Sequence, residues 1–406
     1  MSFQEKYLCG ESMDMYKASQ HHTEKTHSRG LHFYDDLQII EHEDEPLNRA
    51  ERLKAVEKPL LAWYHSRARS LPWRDDPKPY RVWISEIMLQ QTRVEAVKPY
   101  FFRFFEHFPR ISDLAAAPEE ELLKCWEGLG YYSRARNIKK AAEILTEKYN
   151  GSFPESYGEI LALPGIGSYT AGAIASIAFE LPVPAVDGNV LRVLSRVTGS
   201  FDDILKQSTK KKMEALVSEV IQPGSAGDFN QALIETGAMI CIPGGAPLCS
   251  QCPFFTICAA RSQGLTEKLP VKTPKKKRKI EEKTVLLLDY QDKIAIRKRR
   301  EDGLLASLYE FVNVPGQLSA EEAGALLDQE VRPEPLPEAK HIFSHVEWHM
   351  GGYFVSLKEM PESLPGEESG PALFLTWEEI RKEYPVPNAF AVYKKYLDQR
   401  YGGEEE

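Results

Sequence analysis

Four of the six cysteines fall within one 18-residue window, as Cys241, Cys249, Cys252 and Cys258. Thiols this close in sequence hold a metal centre or risk wrong cross-links, so the segment must fold as a ligand loop. Disulfides are the weaker alternative, because the remaining chain offers almost nothing to staple. The spacing is C-x7-C-x2-C-x5-C. One short gap with two longer ones departs from the paired layout of most structural zinc sites. It suits a [4Fe–4S] cluster, whose cube of irons needs well-spread sulfurs. Spacing alone leaves zinc open. Cys9 and Cys125 are expected to be free thiols in a reducing compartment.

The 406 residues are enough for two domains with sizeable cores. No run of 18 apolar residues occurs, so no membrane span or membrane partner is expected. The first 20 residues lack the apolar stretch of a secretory signal, which points to the cytoplasm or, in a eukaryote, the nucleus. A net charge of −9 argues against a nucleic-acid partner until the chain is divided. Residues 1–50 carry a net −5, residues 51–280 a net +7 and residues 281–406 a net −11. The acidic ends conceal a basic middle able to meet phosphates, although ordinary surface charge would also fit.

Residues 1–50 are mostly polar, acidic and weakly periodic, and are expected to be a disordered extension. Residues 51–261 read as helical, with apolar periodicity over Leu60–Ala68, Ile84–Phe105, Glu119–Trp126, Ala135–Lys148, Thr170–Ala178 and Lys210–Ile221. Residues 262–283 read as a linker with the basic run Lys275–Lys279, either an import signal or a solvated tether along DNA phosphates. From residue 284 to 400 the period changes to two. Val285–Tyr290 and Lys293–Arg297 read as a hairpin, Val346–Leu357 as a strand broken at Gly351–Gly352, and Phe390, Tyr393 and Leu397 as one face of a last helix.

Three further segments carry chemistry. Leu163-Pro-Gly-Ile-Gly-Ser-Tyr-Thr-Ala171 joins two helical patterns, with Gly165 and Gly167 bracketing a tight turn. Its free N–H groups and the following helix N-terminus could hold a DNA phosphate; a plain helix–helix turn would also fit. Asp187, in Val186-Asp-Gly-Asn-Val190, stands where a helix begins. It reads as an N-cap, and the helix dipole would keep it ionised beside a developing sugar cation. Glu86 is the one charge between Arg81 and Arg93. If its apolar neighbours bury it, its pKa rises and it becomes a proton donor. On the exposed stripe of the helix it would be ordinary.

Together the hairpin, Asp187 and the cysteine loop resemble the endonuclease III superfamily of DNA glycosylases. Ser85-Glu-Ile-Met-Leu-Gln-Gln-Thr92 and Leu163-Pro-Gly-Ile-Gly-Ser-Tyr-Thr-Ala-Gly-Ala-Ile-Ala-Ser176 resemble, within it, the adenine DNA glycosylases of the MutY type. The resemblance covers roughly residues 55–400. It implies an all-α helix-hairpin-helix glycosylase domain with an iron–sulfur loop, followed by an α+β Nudix-like domain that reads 8-oxoguanine. It implies a monomer acting on double-stranded DNA at A·8-oxoguanine or A·G mispairs.

Carried onto this chain, Glu86 would protonate adenine N7, Asp187 would stabilise or transiently bond the anomeric carbon, and Asn189 would sit beside the sugar. Tyr169 stands where bifunctional relatives carry a catalytic lysine, so a monofunctional enzyme is expected. Arg69, Trp73, Arg74, Leu89 and Gln231 match the adenine pocket. Gln91 and Tyr131 match wedge residues that fill the stack once the base is flipped. Phe343, Ser344 and His345 match the loop that contacts 8-oxoguanine; without the family, these three would be unremarkable. The hydrolytic Nudix signature is missing after Gly303–Glu310, so binding rather than hydrolysis is expected of that domain. The first cysteine gap is one residue longer than the family's, with Gly244–Gly245 placed to absorb it. The competing readings are a catalytically silent mismatch binder and a bifunctional endonuclease III-type glycosylase and lyase.

Overall fold

The computed structural model describes residues 47–274, 277–366 and 371–402. The expected disordered extension and the core of the basic run, Lys275 and Lys276, lie outside the described residues. Residues 47–406 pack as one compact unit.

The first half is helical: α1 (Arg49–Lys54), α2 (Glu57–Arg67), α3 (Pro72–Asp75), α4 (Pro79–Leu89), α5 (Val94–His107), α6 (Ile111–Ala116), α7 (Glu119–Cys125), α8 (Ser133–Tyr149), α9 (Tyr157–Leu161), α10 (Ser168–Phe179), α11 (Gly188–Thr198), α12 (Gln207–Ser218), α13 (Ala226–Met239) and α14 (Ala259–Ser262). Proline at the first turn of α3 and α4 costs no helical hydrogen bond, which is why Pro72 and Pro79 start helices rather than break them. The stretch Ile84–Phe105, expected as continuous, is two helices. Gln91 takes a left-handed φ of 62° between them, and a helix cannot pass through that conformation.

Two apolar cores form this half. One gathers Trp83, Ile84, Phe101, Phe104, Leu122, Trp126, Ala135 and Ile174 from α4, α5, α7, α8 and α10. The other gathers Leu60, Trp63, Val190, Leu194, Val217, Phe229 and Phe254 from α2 and from the segment between α11 and the cysteine loop. Helix α10 touches both α4 and α13, so it spans the seam between the cores. Gly172 makes this possible. A Cβ there would lie 2.0 Å from the Pro184 carbonyl oxygen.

The second half is a six-stranded sheet with β1 (Lys279–Tyr290), β2 (Lys293–Lys298), β3 (Tyr309–Pro315), β4 (Glu334–Ile342), β5 (Val346–Ser356) and β6 (Ala372–Leu375), in the order β4-β5-β1-β3-β2-β6. Strands β1 and β5 run parallel from Lys279↔Val346 to Asp289↔Ser356, and the other neighbours are antiparallel. The expected hairpin is present, turning on Gln291 and Asp292 with φ of 54° and 60°. α15 (Ala320–Ala325) covers one face; α16 (Trp377–Glu383) and α17 (Ala391–Tyr401) cover the other through Phe390, Tyr393 and Leu397.

Two expectations need correction. β1 starts at Lys279, inside the expected linker, because its backbone already finds ladder partners on β5 there. β5 also runs unbroken through Gly351 and Gly352. Both glycines stay in the ladder, and a Cβ at Gly352 would meet the Val285 oxygen at 2.7 Å and the Tyr393 ring at 3.1 Å. The missing side chain permits a close approach rather than a break.

Candidate active site

The site lies at the seam of the two helical cores. Glu86 projects from α4 and is buried, with 8% of its surface exposed. Burial pushes its carboxyl up to about 7, opposed by a hydrogen bond that the Tyr169 hydroxyl donates to it. The exposed-stripe alternative therefore fails. Tyr169 occupies the first turn of α10, just past the glycine turn, and burial with both nearby carboxylates raises its phenol well above the usual value.

Asp187 caps α11, accepting from Val190 N–H at 2.7 Å. The cap and the active-site reading are thus compatible. Against the expectation that the helix dipole keeps it ionised, burial raises the Asp187 carboxyl, while the bonds from Val190 and Asn189 and the nearby Arg192 charge pull it down. Asn189 donates Nδ2–H to Asp187 at 2.8 Å and accepts from Arg192 Nη2 at 2.9 Å. Arg192 in turn donates Nε–H to the Cys241 carbonyl at 2.6 Å and Nη2–H to the Gly237 carbonyl at 2.8 Å. An unbroken hydrogen-bonded path thus links Asp187 to the first cysteine of the loop. Gly237 is required here, because a Cβ would meet Asn189 Cβ at 2.6 Å.

Arg69 and Arg74 converge on Glu235 of α13, which sequence reading missed. Arg69 donates Nε–H and Nη2–H to its two oxygens at 2.7 Å each, and Arg74 adds a bond of 3.0 Å. Burial alone would raise the Glu235 carboxyl, yet the two arginines together hold it down at about 2. Its signal was weak, a lone Glu on an apolar helix face, and the structure shows it as a buried anchor. Asn230, also missed, fastens the segment before Asp187 by accepting from Ala185 N–H and donating to the Val183 carbonyl. Trp73 is buried with its ring edge-on to Phe101, while Leu89 and Gln231 are half-buried.

Gly165 has φ of 74°, and a Cβ there would lie 2.5 Å from that of Asn137. Gly167 is the N-cap residue of α10. The N–H groups of both glycines lack a hydrogen-bond partner among the described residues, whereas that of Ile166 is taken by the Leu163 carbonyl. Within the turn the open N–H groups are those of the two glycines, and the first N–H groups of α10 follow them without a carbonyl partner among the described residues.

Gln91 and Tyr131 are both exposed and both left-handed, with φ of 62° and 49°. Tyr131 reaches the sheet half: its hydroxyl and that of Ser344 share a hydrogen bond at 3.1 Å. Phe343, Ser344 and His345 form the β4–β5 turn, closed by Phe343 N–H to the Val346 carbonyl. With Gly128–Ser133, Leu304 and Asn388 they line a cleft between the helices and the sheet. Phe343 stands edge-on to the buried Trp348. α15 is a six-residue helix whose Glu322 is engaged in its own capping box with Ser319.

All four cysteines of the window line one small cavity with Arg196, Phe254 and Arg261, and those described are free of disulfides. Arg196 donates to Cys241 Sγ at 3.2 Å. Burial and then the neighbouring thiols push Cys252 up to about 12. Among the described residues no group of three or more Cys, His, Asp or Glu closes on a single metal ion. Four thiols around one cavity, with the Arg196 guanidinium beside them, are a donor set that fits a thiolate-held metal centre. Gly244 and Gly245, both exposed, lie in the first gap with φ of 67° and 128°.

Residues 84–223 match the model of the HhH-GPD superfamily base excision DNA repair proteins, and residues 284–397 match a NUDIX domain. The chain is 33% identical to the adenine DNA glycosylase of Mus musculus over 84% of this chain and 78% of that protein. Identity to the Homo sapiens adenine DNA glycosylase is 33%, over 84% and 74%. To that of Buchnera aphidicola subsp. Baizongia pistaciae it is 42%, over 62% and 72%. These matches span both halves of the fold and the seam that holds Glu86, Tyr169 and Asp187, and the chain accordingly belongs to the adenine DNA glycosylase family.

Proposed function

We propose that the protein excises adenine mispaired with 8-oxoguanine, or with guanine, from double-stranded DNA, as a monofunctional glycosylase. One observation carries this reading: a carboxyl held near neutrality, Glu86, and a helix-capping carboxylate, Asp187, both act on the same buried tyrosine. Protonated Glu86 gives its proton to adenine N7. The bond between the sugar carbon and N9 then breaks, and its electron pair leaves with the base. Asp187 stabilises or transiently bonds the resulting sugar cation, held in place by Asn189, and water completes an abasic site. Burial suits Glu86 to hold a proton, while the Val190 and Asn189 hydrogen bonds and the Arg192 charge oppose burial at Asp187 and favour its anion.

Tyr169 offers a hydroxyl where a lyase needs an amine, which supports excision without strand cleavage. Arg69, Trp73, Arg74, Leu89 and Gln231 are assigned to the adenine pocket, with the arginines preset by Glu235. Gly165 and Gly167 are assigned to a DNA phosphate. Gln91 and Tyr131 are assigned as wedges, and Phe343, Ser344 and His345 as the reader of 8-oxoguanine, its hydroxyl already beside Tyr131. Cys241, Cys249, Cys252 and Cys258 would hold a [4Fe–4S] cluster, which when bound braces the loop carrying Arg261.

A duplex labelled on the adenine strand tests this. Incubation followed by hot alkali should break the strand at the adenine opposite 8-oxoguanine. Omission of alkali should leave it whole, and borohydride should trap no covalent adduct. Absence of an alkali-labile site would favour a silent mismatch binder, and a trapped adduct a lyase.

A further inference from the structure

Arg134 lies at the start of α8 and is buried, yet no carboxylate is among its partners. Its guanidinium donates only to backbone carbonyls. Nη1 reaches Ile87 at 2.5 Å, Met88 at 3.1 Å and Gln90 at 2.8 Å. Nη2 reaches Leu129 at 3.0 Å and Gly130 at 2.9 Å. The same group lies 5.4 Å from the Trp126 ring centre and 5.7 Å from that of Tyr131. Burying a cation without a counter-charge is costly. Here the carbonyls at the C-terminal end of α4 and in the residue that follows it, Ile87, Met88 and Gln90, supply the negative potential instead.

Those five carbonyls belong to two segments. One is the end of α4, which carries Glu86 and leads into Gln91. The other is the turn that leads into Tyr131. Both tips hold non-glycine residues in the left-handed region, a conformation that persists only where the surroundings fix it. We propose that Arg134 is a positioning residue that ties both wedge loops and the Glu86-bearing end of α4 into one unit, so that the wedges insert together and the acid is set by the same step. The inference rests on the wedge and acid assignments above. Only a planar fork with donors in diverging directions serves both segments, and a lysine ammonium cannot.

The test uses the full chain carrying Arg134→Lys, with wild type alongside, on a duplex bearing adenine opposite 8-oxoguanine. Single-turnover excision should fall about 100-fold, the effect of displacing reacting groups by about 1 Å. With 2-aminopurine at the adenine position, the fluorescence rise on unstacking should be largely lost at saturating protein. In a Gln91→Ala background the same substitution should add less than about threefold, because the two act through one unit. Wild-type inactivity would defeat the excision reading itself. Wild-type excision with an unchanged Arg134→Lys rate would overturn this inference alone, and so would a loss that multiplies fully with Gln91→Ala. If the variant does not fold, hydrogen exchange of the wild-type chain decides. On the mispaired duplex residues 88–92 and 128–132 should gain protection together, and protection of one segment alone would contradict the proposal.

Discussion

Glu86 and Glu235 are both buried glutamates, and their neighbours drive them to opposite protonation states. Glu86 meets a neutral phenol, so desolvation wins and its carboxyl stays protonated to about pH 7. With Glu86 as the proposed proton donor, kcat/KM should decline as pH rises through about 7. A flat profile to pH 9 would disagree. Glu86→Gln and Asp187→Asn should each lower single-turnover excision by at least about 1,000-fold, while mispair affinity in gel-shift titrations is kept.

Glu235 meets two guanidinium groups and stays ionised. Its folded pKa lies below its unfolded value, so its stabilisation is present at neutral pH and is lost as pH falls from about 4.5 to about 2. Glu235→Leu would leave two arginines facing an apolar wall and should cost about 3 kcal/mol in denaturant midpoints. Glu86 was visible in the sequence because it is an isolated charge among large apolar residues. Glu235 was not, because its partners stand about 160 residues away and no local pattern announces them.

At the scale of elements, the helices were legible from their period and the Asp187 cap from its position before an apolar run. The breaks were less so. The α4–α5 break depends on a left-handed Gln91, a residue type that gives no turn signal. β4 escaped notice because Pro335 and Pro337 argue against a strand, yet it lies at the sheet edge, where missing N–H groups are tolerated. The path from Asp187 through Asn189 and Arg192 to Cys241 was also hidden, since it joins elements far apart in the chain. Arg192→Lys should lower excision about tenfold or more and, with the proposed cluster bound by the four cysteines, also weaken its visible absorbance, because one guanidinium serves both ends. Loss of activity with an unchanged spectrum would limit Arg192 to the active-site side.

Across the whole molecule, the sheet half is docked onto the helical half through named contacts. Lys394 of α17 pairs with Glu127, Lys124 donates to the Tyr384 carbonyl at 3.1 Å, Lys298 pairs with Glu120, and Arg136 donates to the Ala306 carbonyl at 2.7 Å. Leu308 is fully buried in the α4–α8 core. Glu127 immediately precedes the Gly128–Tyr131 turn, so this interface reaches Tyr131, which touches Ser344. Lys394→Met should therefore reduce the preference for 8-oxoguanine over guanine opposite adenine several-fold, read as the ratio of kcat/KM values. None of these cross-pairs was readable from sequence, because charge pairing between two separately patterned halves leaves no periodicity.

The central claim is that Glu86 and Asp187 act on one extruded adenosine. Parallel single-turnover time courses on an A·8-oxoguanine duplex, with alkali-revealed cleavage for wild type, Glu86→Gln and Asp187→Asn, test it most directly. The account predicts rapid appearance of abasic sites with wild type and almost none with either variant, although all three bind the duplex. Cleavage by either variant at close to the wild-type rate would contradict it.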